Sequence, residues 1–173
     1  MKKLVLFLFI LTFCFVANSS AQENSLGVGV EVAIPSGDFS TFYSLGIGGL
    51  ATYGYEVNPD LMLTLKAGYL SFSGKDINGY TVPTSSVVPV LAGAKYFFMP
   101  GETRFYGSVD AGMYFFSNSG SSSSEFGVTP NVGVQFKAGD KMNADVHVGY
   151  ANVFTSGSTT SWIGLGVGLT FGL

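Results

Sequence analysis

The chain has 173 residues, 47% hydrophobic but only 11% charged, with 24 glycines, 16 phenylalanines and 9 tyrosines. A soluble domain averages about 25% charged residues and about 7% glycine. This composition excludes a disordered chain and argues against a helical bundle or coiled coil. A net charge of −3 with no basic cluster argues against nucleic acid as a partner.

Taken in chain order, Met1, Lys2 and Lys3 give a basic start, Leu4 to Val16 is an apolar run, and Asn18-Ser19-Ser20-Ala21 places small residues before a cleavage point. That is the layout of a secretory signal peptide over residues 1–21. The run is too short for a helix spanning a hydrocarbon core of about 30 Å. Phe13 is too bulky for Cys14 to begin a lipoprotein. Residues 22–173 are then the mature domain, without cysteine and with no apolar run of helical-span length. Any membrane residence must come from strands.

The mature chain is a series of period-two segments. The first runs Leu26–Ile34, followed by a longer connection, Pro35 to Ser44. The second and third, Leu45–Val57 and Leu61–Tyr69, are joined by the short Asn58-Pro59-Asp60; a long connection, Ser73 to Ser85, follows. Val88–Phe98 and Phe105–Phe115 are joined through Met99 to Thr103. Ser117 to Glu125 reads as a low-complexity Ser/Gly/Asn loop. Asn131–Lys137 and Asp145–Tyr150 flank the short Ala138 to Met142, and after Thr155 to Ser161 comes Ile163–Leu173. Alternation at 180° per residue specifies strands. Eight strands with alternating short and long connections predict an all-β fold, an eight-stranded antiparallel up-and-down transmembrane β-barrel. Pro89 and Pro130 cannot donate to a ladder, so strand ends or bulges are expected there.

Charge gives the barrel its polarity. Glu31, Glu56, Lys66, Lys95, Asp110, Lys137 and Asp145 all lie on the face opposite the large aliphatics. A lipid-facing Lys or Arg at the midplane costs about 2–4 kcal/mol, so the charge-free aliphatic face is the lipid face. The minority face is rich in glycine, and eight strands leave an interior only wide enough for side chains. The expected filling is Gly, Thr, Ser and paired charges, without large aliphatics. The predicted interior polar network is Glu31, Glu56, Lys66, Lys95, Asp110, Asn131, Gln135, Lys137, Asp145 and His147. Buried charges must pair, so these residues are expected to form salt bridges that plug the lumen. Aromatic girdles are expected from Tyr53, Tyr55, Tyr96, Phe98, Phe105, Phe136 and Phe171 at the short-turn end. Tyr69, Phe115, Tyr150 and Trp162 are expected at the long-loop end.

The stretches Pro89-Val-Leu-Ala-Gly-Ala-Lys-Tyr-Phe-Phe98 and Phe105-Tyr-Gly-Ser-Val-Asp-Ala-Gly-Met-Tyr114 resemble the outer membrane protein beta-barrel domain family, with its OmpX-like barrels and OmpA-like membrane domains. The resemblance covers the whole mature chain and implies a Gram-negative cell outer membrane as the destination after signal-peptide export. Gly168-Leu-Thr-Phe171-Gly-Leu173 is similar to the terminal signal read by barrel-assembly machinery, departing from it at Val167 and Leu173. Some such barrels modify lipid A, but His147-Val148-Gly149 lacks the serine of the deacylase type. His147 also lies on the wrong half for the palmitoyl-transfer type. One histidine and no mature cysteine leave no metal set. Gly164-Leu-Gly-Val-Gly168 precedes no helix and matches no phosphate loop. The expectation is therefore a non-enzymatic barrel of structural or surface-interaction role, with no cofactor. Its expected partners are outer-membrane lipid, the assembly machinery, and an extracellular ligand at the long loops, where Phe42, Tyr43 and Tyr80 stand. The alternative is a porin-like passive channel for small solutes. A lipid A enzyme and a soluble lipocalin-like barrel are the remaining readings.

Overall fold

The computed structural model describes residues 24–77, 79–118, 120–155 and 158–173; the predicted leader, Cys14 included, lies outside the described residues. Eight long strands carry the fold: β1 (Asn24–Ser36), β2 (Tyr43–Asn58), β3 (Leu61–Gly74), β6 (Ser85–Phe97), β7 (Thr103–Asn118), β8 (Ser121–Lys137), β9 (Met142–Thr155) and β10 (Ser158–Gly172). A short helix, α1 (Phe39–Phe42), and a two-stranded ribbon of β4 (Asp76–Ile77) and β5 (Tyr80–Thr81) decorate one end. The long strands close in the order β1-β10-β9-β8-β7-β6-β3-β2, every neighbouring pair antiparallel. Closure removes the free edges that an open sheet would present.

The alternation sets which face is which. Val28, Val30, Leu65 and Val132 each have more than half their surface exposed on the outer wall. Asp110, 1% exposed, and Gln135 lie inside. No Asp, Glu, Lys or Arg occupies an outward position on the eight described strands. Tyr53, Tyr96, Phe98, Phe105, Phe136 and Phe171 face outward at one end, and Tyr69, Phe115 and Tyr150 at the other. Trp162 departs from the expected girdle: it is 2% exposed and points inward.

The short turns have local causes. Asn58 Oδ1 accepts the N–H groups of Asp60 (3.0 Å) and Leu61 (2.9 Å), and Pro59 fixes φ between them. The end with these turns also joins the first and last strands, where Leu173 N–H donates to Asn24 O at 2.8 Å.

Two expectations are corrected. Ser117–Asn118 and Ser121–Glu125 are strand, not loop: β7 and β8 stay paired to Asn118↔Ser121. Backbone groups need partners whatever side chains they carry, and serine neither supplies bulk nor forbids pairing. Likewise β9 and β10 pair out to Thr155↔Ser158. The prolines lie inside strands without shifting register. Pro89 pairs with Tyr114 and Pro130 with Val109, and each interrupts the ladder on its other side only. The irregularities fall instead between β2 and β3, at Tyr43/Gly46 and Glu56/Asn58.

Candidate functional site in the barrel interior

The interior has two halves of different chemistry. In the half nearer the short turns, Asp110 gathers three donors. Lys66 Nζ lies at 2.7 Å and Asn131 Nδ2 at 2.8 Å from its Oδ2, and Thr64 Oγ1 donates to Oδ1 at 3.2 Å. Asp145 holds a second knot. It accepts from Lys95 Nζ at 3.1 Å and Tyr106 O–H at 2.9 Å, and it meets His147 Nδ1 at 2.9 Å. His147 Nε2 stands 3.8 Å from Glu31 Oε2, joining this knot on β9 to β1 across the intervening β10. Lys95 also lies 3.9 Å above the Tyr106 ring, so the ammonium is shielded by a π face as well as paired.

Nine of the ten predicted network residues meet in this way. Glu56 and Gln135 are brought in by a residue the sequence reading left out: Arg104, whose guanidinium donates to Gln135 Oε1 at 2.8 Å and Glu56 Oε1 at 3.4 Å and stacks 4.0 Å over Phe97. Arg104 lies two residues before Tyr106 and six before Asp110, so strand parity already pointed it inward. Lys137 does not join. It is exposed at the end of β8, and no ion pair to it occurs among the described residues.

The glycines of the wall are seats for these side chains. A Cβ on Gly93 would strike the Asp110 carboxylate, one on Gly149 the Asn131 amide, and one on Gly166 the His147 ring. Each is a direct register partner of the residue it accommodates. A Cβ on Gly133 would come within 2.5 Å of Tyr106, also its partner, and one on Gly164 within 2.8 Å of Glu31. Long polar side chains lie flat against a neighbouring strand because that strand offers no side chain there. Glycine in a strand marks such a close approach.

The other half is apolar, contrary to the expected filling. Leu70, Phe72, Val87, Leu91, Tyr114, Val153 and Trp162 form one buried cluster. Trp162 stacks edge-on with Phe72 at 5.4 Å and with Tyr114 at 5.5 Å, and Phe39 of α1 closes over Phe72 at 5.1 Å. Tyr114 O–H shares a 2.5 Å hydrogen bond with Thr129, tying the aromatic layer to the polar one. Among the described residues, one interior cavity of about 60 Å³ lies beside Lys66, Lys95, Tyr106, Asp145 and His147, and another of about 40 Å³ lies between Glu31, Asp110, Tyr114 and Trp162. At about 10–15 Å³ per water, each has room for only a few molecules. No group of three or more His, Cys, Asp or Glu able to hold a metal occurs among the described residues. The one histidine is engaged by two carboxylates, and no hydroxyl nucleophile is hydrogen-bonded to it among the described residues.

Comparison with known proteins agrees with this geometry. A family model described as the outer membrane protein beta-barrel domain matches residues 6–171. Among solved structures, the chain is similar to Neisserial surface protein A, at 15% identity and TM-score 0.70, over 89% of this chain and 100% of that one. It is similar to OprG of Pseudomonas aeruginosa, at 12% identity and TM-score 0.65, over 88% and 96%. It is also similar to Ail of Yersinia pestis in complex with the heparin analogue sucrose octasulfate, at 18% identity and TM-score 0.58, over 88% and 99%. At such identities the likeness is one of fold. No curated protein matches in sequence.

Proposed function

Because the chain belongs to the outer membrane protein beta-barrel domain family, we propose that it is a small integral outer-membrane barrel with a plugged interior and a structural or surface-interaction role. The observation that carries this reading is the stacking of two unlike layers in one narrow lumen. A permeating ion would have to displace the Trp162–Phe72–Tyr114 cluster and then break the Asp110 and Asp145 knots. The charge pairing supports a structural use of the interior: Lys66, Lys95 and Arg104 each have a carboxylate partner. We assign the chain no catalytic role and no cofactor.

In this reading residues 1–21 direct export, the C-terminal strand addresses the assembly machinery, and the end bearing α1 and the β4–β5 ribbon faces the exterior. A polyanion such as the sucrose octasulfate bound to Ail is disfavoured as a ligand there. Among the described residues Lys75 is the one Lys or Arg at that end, and its Nζ already donates to Ser40 O at 2.6 Å. Single-channel recording of the refolded protein in a planar bilayer tests the plug. The expected record is flat. Stable unitary steps would replace the plug with the passive-channel reading.

A further inference from the structure

One register row crosses the barrel wall through the single histidine. Gly133 on β8, His147 on β9, Gly166 on β10, Glu31 on β1 and Gly48 on β2 are successive partners. Ionisable side chains and bare backbone alternate along it. A Cβ on Gly166 would strike the His147 ring, and one on Gly164, the neighbouring inward position of β10, would come within 2.8 Å of Glu31. The imidazole and the Glu31 carboxylate therefore meet over β10, with Nε2 3.8 Å from Oε2. On the other side of the ring, Nδ1 stands 2.9 Å from Asp145 Oδ1.

Both ring nitrogens thus face carboxylate oxygens. An ionised carboxylate only accepts, whereas a neutral imidazole carries a proton on one nitrogen and a lone pair on the other. In either neutral tautomer a lone pair would point at an anionic oxygen; the imidazolium suits both sides. The interior charges make the same demand. Asp110 has Lys66, Asp145 has Lys95 and Glu56 has Arg104. Glu31 is the fourth carboxylate, and among the described residues its one ion-pair partner is His147. Lys66 of β3, Lys95 of β6, and Tyr106 and Asp110 of β7 also line the cavities beside the ring. The two ammoniums oppose a further positive charge, but each is held by its own carboxylate, and Tyr106 O–H donates to Asp145. Among the described residues, β2, β8 and β10 bring no ionisable side chain to these cavities. From this geometry we infer that His147 is the fourth cation of the interior, doubly protonated at neutral pH, and that it makes the brace between β1 and β9 sensitive to pH. Loss of the proton turns a lone pair toward a carboxylate and strands Glu31 without a counter-charge, which is costly in a buried site. An unfolded chain gives up a histidine proton near about pH 6.5. A barrel that keeps the proton above that value releases it on unfolding, so its stability falls as the pH rises. The device requires a closed barrel but not a sealed one, so a conducting lumen would leave it standing.

The test uses the full mature chain refolded in a non-ionic detergent, with its histidine isotope-labelled at both ring nitrogens and observed by NMR; the sequence holds one histidine, so the signals need no assignment. At about pH 7.5, a pH unit above the ordinary histidine range, the wild type should show two protonated ring nitrogens. Glu31→Gln keeps the shape of the side chain and removes its charge; there the ring should show one protonated and one unprotonated nitrogen. Urea unfolding is then followed between about pH 6.5 and 8.5. The wild-type folding constant should fall as the pH rises, by up to about tenfold per unit for one proton, and His147→Gln should flatten the profile. A single protonated nitrogen in the wild type, an unchanged spectrum in Glu31→Gln, or a wild-type profile that is flat or rises with pH would overturn the inference. A gel shift between unheated and boiled samples reports whether each variant is a closed barrel. The wild-type spectrum decides the protonation even where a variant does not fold.

Discussion

Removing Asp110 should expose how much the interior depends on paired charge. The carboxylate is 1% exposed and holds Lys66, Asn131 and Thr64. Breaking a buried pair by deleting one partner costs about 3–5 kcal/mol, chiefly because the remaining charge is stranded. Lys66 keeps 14% of its side chain accessible, and Asn131 Nδ2 retains Ser108 Oγ at 3.2 Å and Thr129 O at 3.0 Å, which places the loss at the lower end, about 3 kcal/mol. The conservative Asp110→Asn removes the charge without opening a cavity, and Lys66→Met removes the other. The double variant strands nothing and should lie within about 1 kcal/mol of wild type, giving a coupling of about 2 kcal/mol or more. Urea unfolding in lipid vesicles, followed by fluorescence of the single tryptophan, Trp162, measures all four corners of the cycle. Additivity of the two single losses within about 0.5 kcal/mol would refute the argument that these residues act as a buried pair.

The remaining predictions concern other parts of the interior. Gly166→Val should destabilise the barrel by about 1–3 kcal/mol, because the new side chain would occupy the space of the His147 ring; thermal unfolding in micelles reads this directly. Arg104→Ala should cost more than Lys137→Ala, which should stay within about 0.5 kcal/mol, since only the former meets partners inside. Equal effects in urea titration would contradict the placement of the two side chains. Phe72→Ala should cost about 3–5 kcal/mol as a fully buried ring in the aromatic layer. Phe72→Ala combined with Trp162→Ala should raise bilayer conductance above the wild-type baseline, and an unchanged baseline would mean that the aromatic layer is not what seals the lumen.

The eight strands, their order and the polarity of the wall were legible because alternation and charge act together. Glu31, Lys66 and Asp110 stand out against aliphatic neighbours, and each marks the inward parity of its strand. That signal fades where both faces are apolar. Val87-Val88-Pro89-Val90-Leu91 has no visible period, yet Val87 and Leu91 point inward and Val88 and Val90 outward. Alternation therefore carries no sign of the apolar half, and Trp162, an aromatic near a strand end, has the pattern of a lipid-facing residue. The serine tract hid a strand for another reason: serine side chains carry no pattern, while the pairing that continues through Ser121–Glu125 is made by backbone. Lys137 had the right parity but sits beyond the last inward layer, and parity says nothing about depth. Arg104 fell outside the chosen segment by one residue, which removed it from the network.

The central claim is that the aliphatic face meets lipid and the charged face lies inside a closed wall. Gel mobility of the chain in a detergent-extracted outer-membrane fraction, unheated against boiled, tests it most directly. The account predicts that the protein is found in that fraction and that its band shifts on boiling, as a closed barrel resistant to SDS should. A soluble protein recovered without detergent would mean that the aliphatic face is a core and the barrel has been read inside out.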